Sequence, residues 1–112
     1  MIMIFAGRRD DRCALHVAGH AGCAARGQDV VCAAVSAVVN TLAAALAAFE
    51  LQGFHAKLLP GEARVTCGRS GAAEVLFYAA VIGLAQMAAA YPDHIQMQTE
   101  GYFRAGQEEE SA

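Results

Sequence analysis

Apolar residues gather along this chain in five short segments and two long ones, with polar or turn-forming residues between them. Residues 1–6 form a short run rich in Ile, and residues 13–19 alternate loosely between apolar and polar. The charged stretch Gly7-Arg8-Arg9-Asp10-Asp11 lies between them, so the pattern predicts two strands joined as a hairpin. Residues 22–28 carry two glycines and no periodicity, which predicts a loop. Asp29 is a suitable N-cap for a helix that runs to about Glu50 and is ended by Gly53. That helix is apolar nearly all round, so both of its flanks are expected to be covered by protein. Residues 55–59, the pair Pro60-Gly61 and residues 63–67 read as strand, turn, strand. Ser70-Gly71 opens a second helix, with Glu74 near its positive end. It is expected to reach about Ala90, where Tyr91-Pro92 stops it. Residues 94–99 alternate and predict a last strand.

The resulting order is β-β-α-β-β-α-β. It predicts an α+β fold: a mixed or antiparallel sheet with two long helices packed against it. Residues 1–100 are expected to form one domain, and residues 101–112, with Glu108-Glu109-Glu110, a disordered acidic tail. A chain of 112 residues suits a single core that buries roughly two-thirds of the unfolded surface. Hydrophobic residues make up 56% and charged residues 17%, which excludes a disordered chain. Much of the apolar count is Ala, which favours helix but fills little volume, so close helix–sheet packing follows.

A formal net charge of −3 provides no general attraction to nucleic acid, and none is expected as a partner. Residues 30–49 carry no charge over twenty positions, the length of a membrane span. Eight of them are Ala, however, and Ser36, Asn40 and Thr41 interrupt the run. Ala contributes little to membrane insertion, so a helix of a soluble core is the expectation. The four cysteines, Cys13, Cys23, Cys32 and Cys67, form no close pair of the CxxC kind. The first residues lack the basic region and long apolar stretch of a secretory signal. Reduced thiols in the cytoplasm are therefore expected.

The candidate chemistry lies between Gly19 and Ser36. With Asp29 as N-cap, Cys32 would be the third helical residue, close to free backbone N–H groups and the positive end of the helix. An imidazolium nearby would add to the preference for thiolate, and His20 is the imidazole upstream. The same N–H groups would suit an oxyanion. Ser36 follows Cys32 by one helical turn and Asn40 follows Ser36 by another, a polar seam on an apolar helix. Gly19, Ala21 and Gly22 strip bulk from around His20, so a substrate backbone could approach closely. Asp29 could cap the helix or orient His20.

Plainer readings stand beside these. A Cys in an Ala-rich helix is commonly a small buried hydrophobe, as expected for Cys13, Cys23 and Cys67. A Ser in a helix often bonds back to its own backbone. His20, Cys23, Asp29 and Cys32 have ligand types that suit zinc, but their spacing matches no common finger or ribbon, so no metal or other cofactor is expected. His16, His55 and His94 fall in predicted strands and show no partner in the sequence.

Gly19-His20-Ala21 and Gly27-Gln28-Asp29-Val30-Val31-Cys32-Ala33-Ala34-Val35-Ser36 resemble the signature of the ribosomal-processing cysteine proteases, the Prp family. Gly83-Leu84 and Tyr91-Pro92 are similar to that family's C-terminal half. The resemblance covers about residues 1 to 98. It implies a dimeric intracellular protease that removes the short N-terminal extension of a large-subunit ribosomal protein precursor. It also implies Cys32 as nucleophile, His20 as general base, and Asp29 and Ser36 as further polar site positions. Residues 22–28 would fold over the extension peptide, flanked by Gly22 and Gly27. Cys23 departs from this picture, since it places a second thiol in that loop. The alternative is a non-catalytic ribosome-assembly or ribosomal-protein-binding factor, for which two apolar helices offer an association surface.

Overall fold

The structure is a computed structural model that describes residues 1–19 and 26–103, with side chains described for 1–19 and 30–103. The elements are β1 (Ile2–Arg9), β2 (Arg12–Gly19), α1 (Arg26–Ala48), β3 (His55–Leu59), β4 (Glu62–Gly68), α2 (Gly71–Ala90) and β5 (Ile95–Glu100). The order is the expected one. The five strands form one sheet in the order β3-β4-β2-β1-β5. β1 and β5 are parallel and the other neighbours antiparallel, so the sheet is mixed.

Alternation along the strands places Ile2, Ile4, Ala6, Cys13, Leu15, Val17, Val65, Cys67 and Ile95 on one buried face. Both helices cover that face. α1 contributes Val31, Val35, Val39, Leu42, Ala43 and Leu46, and α2 contributes Ala73, Phe77, Ala80, Val81 and Leu84. The opposite face stays open, with Met3 45% and Phe5 41% exposed. The molecule is accordingly two layers deep, with extents of 40 × 33 × 17 Å. Both helices have the length and hydropathy of a membrane span. Here each packs an apolar stripe on the sheet.

Local chemistry accounts for most boundaries. Ser70 caps α2, its hydroxyl accepting from the Ala73 N–H at 3.1 Å. The last turn of α2 ends as the Tyr91 N–H donates to Met87 at 2.9 Å, one residue before Pro92. In the β3–β4 turn, Pro60 precedes Gly61, whose φ of 78° is the left-handed value that glycine accepts most readily.

Four expectations change. The first turn is Asp10-Asp11 alone, because Arg8 pairs with Cys13 and Arg9 with Arg12. α1 starts at Arg26, three residues ahead of Asp29, so Asp29 lies in the first helical turn and is not the N-cap. Arg26 and Gln28 are good helix formers, and an acid in the first turn suits the helix dipole. The flanks of α1 are not both covered within one chain. Its outward side shows Ala33, Ala34, Ala37, Ala44 and Ala47, which expose little apolar area.

The fourth change concerns the C-terminal segment. Gly101, Tyr102 and Phe103 fold back on the domain, with Tyr102 only 3% exposed. Residues 104–112, the rest of the expected tail, lie outside the described residues. The Tyr78 hydroxyl donates to the Tyr102 carbonyl, and the two rings meet edge to face at 5.4 Å. The Arg8 guanidinium lies 5.3 Å from the Tyr102 ring centre, donates to the Gly101 carbonyl at 2.6 Å and pairs with Glu74 at 3.3 Å. Glu74 also pairs with Arg69 at 2.9 Å. Burial raises the Tyr102 hydroxyl above its ordinary range, and that hydroxyl faces the Cys13 thiol, a weak partner. Tyr102→Phe is therefore expected to stay within about 1 kcal/mol of wild-type stability. Tyr102→Ala should lose about 3 to 5 kcal/mol by opening a cavity, read in both cases by denaturant unfolding.

Candidate active site

The rotation of α1 is set by its buried stripe. Val31, Val35 and Val39 point at the sheet, and the residues one position later, Cys32, Ser36 and Asn40, turn to the flank. That flank forms one wall of a cleft of about 270 Å³. Cys32, Ser36 and Asn40 are spread over about 12 Å of helix along it. Leu58, Leu59, Gly61 and Glu62 of the β3–β4 hairpin form the facing wall, and Ile2, Val17, Val35, Val39 and Ala63 add apolar lining.

Gly19 closes the cleft at the end of β2. Its φ is +93°, and a Cβ there would lie 2.4 Å from the Met1 carbonyl oxygen, so glycine is required. Its N–H donates to the Gly61 carbonyl at 2.9 Å, tying β2 to the hairpin wall. His20 follows Gly19 directly in the chain.

Of the residues singled out in the sequence, Gly19, Cys32 and Ser36 come together at this cleft. Gly27 and Asp29 lie in the first turn of α1. His20, Ala21, Gly22 and Cys23 lie outside the described residues, as does the side chain of Asp29. The loop expected over residues 22–28 is helical from Arg26 onward, and its remainder lies outside the described residues. Cys32 is the seventh residue of α1, where the expectation was the third. The field of a helix terminus falls off within its first turn, so the terminus does little for this thiol. Among the described residues no group of three or more metal-ligating side chains occurs.

Glu62 was not singled out in the sequence. It borders the cleft at the start of β4, where pairing sets it opposite Ala18, which faces Met3, and so turns its side chain to the open face of the sheet. Its carboxylate meets the His16 ring at 3.1 Å, and this hydrogen bond holds the carboxyl below its usual range. His16 thus has a partner that only strand pairing reveals. No local pattern marks Glu62, beyond its place after Pro60-Gly61.

The described thiols differ in surroundings. Cys13 and Cys67 are buried, and desolvation pushes both up from the ordinary thiol range, so they stay protonated at neutral pH. Cys67 further donates to the Gln52 carbonyl at 3.3 Å. Cys32 stands half-buried on the cleft wall, where a substrate carbonyl could reach it. Brief iodoacetamide treatment of the folded protein at neutral pH, followed by peptide mapping, should label Cys32 faster than Cys13 or Cys67 by about an order of magnitude or more. Unfolding should erase the difference.

Comparison with known proteins bears on the family and the fold. The family described as "Cysteine protease Prp" matches residues 1–96. No curated protein sequence matches the chain. Among solved structures, SMU.848 from Streptococcus mutans is 24% identical with a TM-score of 0.71, over 89% of this chain and 94% of that one. An essential ribosomal processing protease, Prp from S. aureus, in complex with a substrate peptide, is 18% identical with a TM-score of 0.75, over 88% and 99%. The same protein in complex with a covalently linked product peptide is 19% identical with a TM-score of 0.70, over 88% and 99%. These likenesses are of fold.

Proposed function

The chain belongs to the cysteine protease Prp family, and from that premise we propose that it is a cytoplasmic cysteine endopeptidase that removes the N-terminal extension of a large-subunit ribosomal protein precursor. The observation that carries the reading is the placement of Cys32 on the wall of a cleft whose rim includes Gly19, the residue ahead of His20. The S. aureus relative that shares this fold is a ribosomal processing protease with a substrate peptide bound. A net charge of −3 is compatible with a basic ribosomal substrate.

His20 takes the proton from the Cys32 Sγ as the thiolate attacks the scissile carbonyl carbon. The tetrahedral intermediate collapses, the C–N bond breaks, and the imidazolium returns the proton to the leaving amine. A thioester remains on Cys32. Water attacks it with His20 as base, releasing the carboxylic acid and restoring the thiol. Ser36 and Asn40 offer hydroxyl and amide donors to the peptide in the cleft.

The test is cleavage of a synthetic peptide spanning the extension of the same organism's ribosomal protein, read by mass spectrometry. Wild type should make a single cut. Cys32→Ala and His20→Ala should each lower the rate at least about 10⁴-fold while unfolding like wild type. An active Cys32→Ala variant would overturn the assignment. Binding without any cleavage by wild type would favour a non-catalytic ribosomal-protein-binding factor.

The same reading carries a homodimer. Val30 at 64% and Val75 at 69% exposure, with Ile82, leave apolar side chains on the outer helix surfaces for a second copy to cover. Light scattering should give twice the 11.7 kDa chain mass. A monomer at all concentrations would remove this part of the proposal.

A further inference from the structure

Beside the cleft runs the backbone edge of β3, whose Leu58 and Leu59 line it. β3 is the outermost strand of the sheet, and its five residues are all exposed. Its hydrogen-bonding direction follows from the register. The two-residue turn Pro60-Gly61 closes on the pair Leu59 and Glu62, so these exchange ladder bonds. Lys57 with Arg64 and His55 with Thr66 continue the bonded set. Ala56 and Leu58 therefore turn their N–H and C=O groups away from β4, toward open space. Neighbouring bonds agree with this parity: the Gly61 carbonyl faces β2, where it accepts from Gly19. The Gly68 N–H faces the β3 side, where it donates to Gln52. Among the described residues no backbone bond reaches Ala56 or Leu58 from the outer side.

This edge lies beside the cleft. Leu58 sends its side chain into the cleft that holds Cys32, Ser36 and Asn40. The other sheet edge, β5, lies at the far end of the strand order and touches no part of it. An extended peptide that continued the sheet beyond β3 would satisfy the open groups of Ala56 and Leu58. Every second side chain of that peptide would turn toward the helix layer, into the cleft. The about 12 Å from Cys32 to Asn40 along α1 spans between three and four residues of such a strand.

We propose that the substrate docks by strand addition, as a sixth strand on the outer edge of β3, with Ala56 and Leu58 as its main-chain partners. The inference rests on the peptidase reading given above. It adds to it a binding mode in which affinity comes from backbone hydrogen bonds and selection from alternate side chains. The cleft that holds Cys32 meets β3 at its Leu59 end, through Leu58 and Leu59. The added strand therefore comprises residues on one side of the scissile bond.

The test uses the full-length Cys32→Ala protein and the extension peptide with single backbone N-methyl groups placed in turn at each position. Dissociation constants should rise by about tenfold at every second position along a stretch on one side of the scissile bond, and little between. Amide exchange at Ala56 and Leu58 should slow on addition of the unmethylated peptide. Binding of that peptide with no two-residue alternation and unchanged exchange at both amides would overturn the inference while leaving the peptidase reading intact. No binding at all would overturn that reading, and strand addition with it.

Discussion

Everything in this molecule is arranged by the burial of one face of a five-stranded sheet under two helices. The strands supply alternate apolar residues to a single side, and Phe77, Leu46, Leu84 and Leu15 fill the space between layers. Packing at native density allows α1 only one rotation about its axis. With Val31, Val35 and Val39 against the sheet, Cys32, Ser36 and Asn40 have nowhere to go but the flank. The thiol is thus aimed by hydrophobic residues packed against the sheet. A polar substitution at Val35 would unseat the core and the cleft wall together.

The same sheet determines where the chain can be reactive. Cys13 and Cys67 are paired across β2 and β4 on the buried face, and desolvation keeps their thiols neutral. Cys32 differs from them in location, since all three are chemically alike. Because it sits beyond the first helical turn, the helix terminus does little for it. Gly19 is fixed by the backbone: only glycine fits against Met1 at the end of β2, and His20 comes next.

A second cluster fastens the end of the domain. Arg8 leaves β1 to meet Glu74 on α2 and the Gly101 carbonyl after β5, and its guanidinium faces the Tyr102 ring. The ion pairs are partly exposed and individually weak. The burial of Tyr102 supplies the larger stabilisation, and the polar contacts give that ring its position.

Element order, the strand–turn–strand at Pro60-Gly61, the Ser70 cap and the stop at Tyr91-Pro92 were all legible in the sequence, because each depends on residues a few positions apart. The pairing of Cys32 with Ser36 and Asn40 was legible for the same reason, being one helical turn repeated. The start of α1 was not, since Asp29 serves a helix equally well as a cap or in its first turn. Nor was the burial of Tyr102, whose partners Arg8 and Tyr78 are distant in the chain. Glu62 beside the cleft, its contact with His16, and the open edge of β3 follow from strand order and register. Those are set by which apolar faces can be buried together, a property of the whole chain that no local window contains.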